Sequence, residues 1–125
     1  MPQYMLLIYN PPTQEEPPPG MHQRWADFTQ SLQDAGLFVG GDALQGLETA
    51  TTLRARDGQV QITDGPFAET KEYLAGYYLL DAPNLDAVLE QARNTPNLAQ
   101  GSVEVRPVWE FAGTPAGAEQ AQARA

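Results

Sequence analysis

The residues best equipped for chemistry fall in one short stretch, Thr63-Asp64-Gly65-Pro66-Phe67-Ala68-Glu69-Thr70-Lys71-Glu72. Asp64, Glu69 and Glu72 are carboxylates, and Lys71 is the only lysine in the chain. Such a set can clamp an anion, hold or move a proton, or lock a loop by ion pairing. His22 is the single histidine, and histidine is the side chain that exchanges protons near neutral pH. An acid or base is therefore sought first at His22, with its helpers in the charged stretch.

Each candidate has a plainer alternative. His22 can be a boundary histidine with its apolar edge against Trp25. Asp64 stands before Gly-Pro, where an aspartate bonds nearby backbone N–H groups and shapes a turn; that role has a slight edge over orienting His22 or binding substrate. Phe67 reads as a loop anchor. Glu69, Lys71 and Glu72 form either a pocket rim or an ion-pair cluster, with Arg106 or Arg24 as distant partners. Exposed pairs contribute about 0–1 kcal/mol each. Stabilisation alone is thus a weak reason for so dense a cluster, and the rim is preferred. Trp25, Tyr77, Tyr78 and Trp109 serve either a pocket for a small apolar or aromatic ligand or the core and an interface.

Composition narrows the field. With 125 residues the chain is one domain with a real core. A net charge of -9 argues against direct binding to nucleic acid or to an anionic membrane, which calls for clustered Lys and Arg. Without cysteine there is no disulfide framework and no thiolate nucleophile. One histidine excludes a multi-histidine zinc site. Asp64, Glu69 and Glu72 are oxygen ligands of the kind Mg²⁺ or Ca²⁺ takes, but acids are common in loops, and no metal is expected. No phosphate loop, Ser-His-acid motif or dinucleotide fingerprint is present, and no organic cofactor is expected. The start, MPQYMLLIYN, lacks a basic n-region, and its apolar run is too short for a signal peptide or a membrane span. A cytoplasmic location is expected.

The elements that must position these residues are readable. Tyr4 to Tyr9 is a continuous apolar run, a strand buried on both faces. A proline-rich loop follows. Met21, Trp25, Phe28 and Leu32 recur at helical spacing and predict a helix from Met21 to Ala35, stopped by Gly36. Leu37-Phe38-Val39 reads as a short strand entering a Gly40-Gly41 turn. Thr51–Arg56 and Gln59–Thr63 flank Asp57-Gly58, a strong hairpin signal. Tyr73–Leu80 is a strand with Tyr73, Ala75, Tyr77 and Leu79 on one face. Asn84 caps a second helix with Leu85, Val88, Leu89 and Ala92 on one side. Ser102–Phe111 is the last strand, and Pro107 marks it as an edge or a bulge. Residues 112–125, rich in Ala, Gly and Gln, read as a disordered tail on a domain of residues 1–111.

The order β-α-β-(β-β)-β-α-β fits an α+β, ferredoxin-like antiparallel sheet with two helices on one face. The runs Tyr4–Tyr9 and Tyr73–Leu80 are apolar on both faces, so the second face needs a cover. A second copy packed face to face is the simplest one, giving a homodimer.

The run Asp64-Gly65-Pro66-Phe67-Ala68-Glu69-Thr70-Lys71-Glu72 resembles the signature of the DGPF-domain proteins, within the YCII-related superfamily. Agreement extends to His22 and Trp25, to Leu74-Ala75-Gly76-Tyr77-Tyr78 and to Glu104-Val105-Arg106-Pro107, and covers roughly residues 3–111. The resemblance implies a dimeric α/β barrel of ferredoxin-like folds. It also implies relatives that act as lyases on small aromatic or chlorinated molecules, and others linked by gene neighbourhood to alternative sigma factors. YCII-type relatives pair a first-helix histidine with an aspartate just before a proline. Here His22 fits the first position, but the second reads Asn94-Thr95-Pro96, so Asp64 is the substitute considered.

Two functions follow. In the first, His22 and Asp64 are catalytic, and Lys71, Glu69, Glu72, Trp25 and Arg106 bind substrate. The protein is then a cofactor-independent lyase or isomerase moving a proton on a small organic acid. In the second, it is a non-enzymatic module that binds a small molecule or a regulatory protein such as a sigma factor.

Overall fold

A computed structural model describes residues 1–12, 17–65 and 71–110. The expected tail, and Phe111 before it, lie outside the described residues. The elements in chain order are β1 (Gln3–Asn10), α1 (Met21–Asp34), β2 (Phe38–Ala43), β3 (Thr51–Arg56), β4 (Gln59–Asp64), β5 (Tyr73–Asp81), α2 (Leu85–Ala92) and β6 (Ser102–Pro107). Short 3-10 turns occupy Leu47–Thr49 and Pro96–Ala99. No helix among the described residues is long and apolar enough to cross a membrane.

Four strands form one antiparallel sheet in the order β2-β5-β1-β6. With β3 and β4 set aside as an insertion, this is the strand order of a ferredoxin-like α+β fold, the class expected from the sequence. β6 is an edge, which accommodates Pro107 opposite Tyr4 at its end. The strand is shorter than expected. It stops at Pro107, and Trp109 beyond it is 71% exposed.

Alternation decides which face is core. Tyr4, Leu6 and Ile8 of β1 and Leu80 of β5 point to the helices and are buried with Phe28, Leu32 and Val88. α1 ends as its sequence demands. Gly36 takes φ +75°, its N–H bonds the Gln33 carbonyl, and the Leu37 N–H bonds the Leu32 carbonyl, both at 3.0 Å. That is a Schellman stop, and buried Leu37 closes it. Asn84 caps α2 through its side chain, which accepts from the Ala87 N–H at 2.9 Å.

The opposite face carries Met5, Leu7, Tyr77 and Leu79. Met5 pairs with Leu79 and Leu7 with Tyr77, and all four are half-buried. Both helices contribute to the cluster on the other side, so neither covers this face.

Two expectations need correction. β1 and β5 slip register between Ile8 and Tyr9: Ile8 faces Gly76, but Tyr9 faces Leu74. Ala75 is the extra residue of a bulge, which returns Tyr73 to the helix side and turns Leu74 to the other. Tyr73 therefore does not share a face with Tyr77. Second, Gly40-Gly41 is no turn; both residues pair with β5 inside β2. A Cβ on Gly41 would come within 2.5 Å of the Tyr77 carbonyl oxygen and 3.0 Å of the Tyr78 ring, so glycine permits close approach of the strands there.

β3 and β4 pair only with each other. Asp57 and Gly58 have φ of 53° and 79°, two successive positive angles, as a type I′ hairpin requires. Register places Leu53 opposite Ile62 and Ala55 opposite Val60, on one side of the hairpin. Leu53, Val60 and Ile62 are 62%, 66% and 68% exposed.

Candidate functional site

On the helix side, β2 beyond Phe38 and β5 between Tyr73 and Tyr78 carry small residues: Gly41, Ala43, Ala75 and Gly76. Large residues fill the rest of that face, so this corner is left hollow under the start of α1. The result is an open cavity of about 560 Å³ between α1 and the β2–β5 edge. Gly41, Ala43 and Gly76 form its floor, and Trp25, Phe38 and Tyr78 line its walls. Polar groups enter from three elements: Asn10 at the end of β1, His22 and Thr29 from α1, and Tyr73 from β5.

Tyr78 is the hub of the aromatic wall. Its ring stacks on Trp25 at 6.5 Å with 23° between planes. It meets Phe28 at 5.5 Å and Phe38 at 6.2 Å edge to face. These separations and tilts are the favourable ones for aromatic pairs. Trp25 and Phe28 also pack edge to face at 6.1 Å. The Tyr78 hydroxyl lies 2.7 Å from Thr29 Oγ1, which donates to the Trp25 carbonyl at 3.0 Å. The wall is therefore rigid, with its one hydroxyl tied to the helix.

Asp42 and Tyr77 also border the cavity. They are register partners, and alternation sends their side chains to the sheet's other face, where Tyr77 donates to Asp42 Oδ2 at 3.1 Å. They meet the cavity along the strand edge. On that same outer face, Tyr9 donates to Glu104 at 3.4 Å. Burial, then the charge and hydrogen bond of Glu104, push the Tyr9 phenol above its ordinary range, against an opposing pull from Arg106.

Of the residues singled out from sequence, His22, Trp25, Tyr77 and Tyr78 border this cavity, and Trp109 does not. His22 is exposed in the first turn of α1 and lines the cavity. Asp64, Lys71, Glu72 and Arg106 are not part of the cavity wall. Asp64 closes β4, is exposed, and pairs in register with Thr51. Lys71 is exposed. Glu72 accepts the Ser102 hydroxyl at 3.0 and 3.1 Å, joining the approach to β5 to the start of β6. Arg106 sits beside Met5 on the outer face. Glu69 lies outside the described residues. No cluster of three or more His, Asp or Glu side chains suited to a metal occurs among the described residues.

Sequence reasoning passed over Asn10, Thr29, Phe38 and Tyr73. Thr29 was within reach, because it stands four residues after Trp25 and so shares its side of α1. Tyr73 was not, because the bulge at Ala75 reverses its direction.

The family model of the YCII-related domain matches residues 2–112. A stretch of 61 residues is 51% identical to an uncharacterized protein, R00369, of Rhizobium meliloti (strain 1021). The match covers 47% of this chain and 49% of that protein, so it spans about half the length of the relative.

Proposed function

This chain belongs to the YCII-related domain family, and from that premise we propose that it binds a small, planar, largely apolar molecule between α1 and the β2–β5 edge. His22 would exchange a proton with it. The observation that carries this reading is the cavity itself: a glycine-floored hollow walled by Trp25, Phe38 and Tyr78, with the chain's one histidine in its lining. The reaction class is proton transfer, an elimination or isomerisation. Neither Lys71 nor Arg106 belongs to the described wall, so a neutral ligand suits it better than an organic acid. Asp64 and Lys71 remain candidates for assisting roles at the rim. The run from Asp64 to Glu72 favours the DGPF branch of the family, and a phylogeny that places the chain on another branch would remove that assignment. The expected location is the cytoplasm; a reporter fusion found in another compartment would refute it.

The test is a ¹H–¹⁵N NMR titration with small aromatic compounds such as phenol and indole. Shifts centred on the Trp25 indole N–H, Thr29 and Gly41 are expected. Trp25→Ala should weaken binding about tenfold or more, from the loss of a stacking wall worth roughly 0.5–1.5 kcal/mol together with the apolar area it buries. Once a turned-over compound is found, His22→Ala should abolish turnover and leave binding within about threefold; Asp64→Ala and Lys71→Ala belong in the same series. Shifts centred away from the cavity would sink the proposal.

A second reading is favoured by the hairpin. Leu53, Val60 and Ile62 expose one apolar side, and patches of that kind mark protein contacts. In that reading the chain is a binding module for a protein such as a sigma factor, and Ile62→Asp, not His22→Ala, removes the function.

We also propose that two copies pack through the outer face of the sheet, over Met5, Leu7 and Leu79. Light scattering at low micromolar concentration should then give twice the 13.6 kDa of one chain. Leu7→Glu should give the single-chain mass with unchanged circular dichroism. A monodisperse monomer in the wild type refutes this contact.

A further inference from the structure

We infer that Tyr78 offers the cavity a hydrogen-bond acceptor, and that the site therefore selects ring compounds carrying a hydroxyl or amino group. The inference rests on the cavity reading and names the class of ligand within it. It follows from counting protons along one chain of contacts. Thr29 Oγ1 has a single proton and two neighbours: the Trp25 carbonyl at 3.0 Å and the Tyr78 hydroxyl at 2.7 Å. The Trp25 carbonyl can only accept, so both contacts form at once only with the threonine proton on the Trp25 side. The contact at 2.7 Å then needs its proton from Tyr78. The tyrosine has only that one to give, and its oxygen is left with acceptor capacity alone.

Tyr78 and Thr29 both line the cavity. Among the described residues the Tyr78 hydroxyl makes no hydrogen bond other than the one to Thr29, so its acceptor lone pairs are open to a ligand. A ring that brings an O–H or N–H pairs with it. A ring of the same shape that brings an ether or a methyl group buries the oxygen unpaired, and that asymmetry is the source of selectivity. The direction of the contact chain is set by the helix: Thr29 lies one turn after Trp25 on α1, so its hydroxyl falls on the Trp25 carbonyl. The backbone of α1 thus fixes which way Tyr78 faces chemically, without touching the ligand.

Phenol and anisole, titrated separately into the full chain and followed by ¹H–¹⁵N NMR, test this. They share a ring and differ in whether the oxygen carries a proton. Phenol should bind about three- to tenfold more tightly, the factor that one neutral hydrogen bond supports. Tyr78→Phe keeps the ring and its packing and should bring the two affinities together. Thr29→Val removes the acceptor that holds the Tyr78 proton, freeing it to turn toward the cavity, and should raise the affinity for anisole. Thr29→Ser, which retains the hydroxyl, should restore the wild-type preference. Equal binding of the two compounds to the wild type overturns the inference and leaves the cavity standing. Cavity shifts from neither compound overturn both.

Discussion

Leu80→Ala is expected to lower the folding free energy by about 2–5 kcal/mol, the range found when a fully buried leucine is cut to a methyl group. Leu80 has no exposed surface and sits in β5, paired on one side with Tyr4 and on the other with Phe38. It belongs to the cluster that joins Leu6 to Phe28 and Leu32, so truncation removes contacts between sheet and helices together. The hole has little chance to collapse, because both neighbouring strands are held by ladder hydrogen bonds. Domains of this size have about 5–15 kcal/mol in total, so the variant approaches the limit of folding. Urea unfolding followed by circular dichroism should show a lower midpoint with an unchanged slope. Leu85→Ala is the matched control: Leu85 is 44% exposed on α2, and its loss should be under about 1 kcal/mol. If the two variants lose the same amount, Leu80 is not at the centre of the core.

Asn97→Ala should be nearly as damaging, for a different reason. Asn97 is 1% exposed. Its Nδ2 donates to the Tyr9 carbonyl at 3.0 Å, to Asn10 Oδ1 at 3.2 Å and to the Ser102 carbonyl at 3.2 Å. One amide thus ties the end of β1 to the start of β6 across the turn at Pro96–Ala99. The amide orientation follows from this network, because the opposite one would set an oxygen against three acceptors. Alanine removes all three bonds at a buried junction, and a loss of about 2–4 kcal/mol is expected. Asn97→Asp should lose at least as much at neutral pH, since a carboxylate would face three oxygens. Part of that loss should return at acid pH, where the protonated acid regains a donor. Thermal melts of both variants at pH 7 and pH 4 would show it. An aspartate variant as stable as the wild type at pH 7 would refute the network.

Much of the fold could be read from local chemistry. Asp57-Gly58 announces its hairpin because few other pairs accept two positive φ angles. Gly36 ends α1 for the same kind of reason, and Pro107 belongs at an edge because it has no N–H to give. The strand order follows once two helices are set between strand pairs. The bulge at Ala75 was not legible. It adds one residue to a run that is apolar on both faces, so nothing in the pattern marks the slip. Gly40-Gly41 misled because a glycine pair signals a turn and close strand approach equally well. His22 and Trp25 stand out because their types suggest chemistry, and helical spacing places them near each other, as the cavity lining has them. A pocket was expected, but its floor was not legible, because it consists of residues with little or no side chain, Gly41, Ala43 and Gly76. Asp64 and Lys71 drew attention by charge density along the chain, and density along the chain does not fix position in space.

The two tryptophans stand in opposite surroundings. Trp25 is half-buried against Tyr78 on the cavity wall, while Trp109, just beyond β6, is 71% exposed. Indole emission shifts to the blue as water is withdrawn and is quenched by neighbouring groups. The molecule therefore carries two optical signals that differ in colour: a bluer one at the cavity, and a redder one that serves as an internal reference. Filling the cavity changes the first and leaves the second. With Trp109→Phe the emission belongs to Trp25 alone, and occupancy can be read by light without any label.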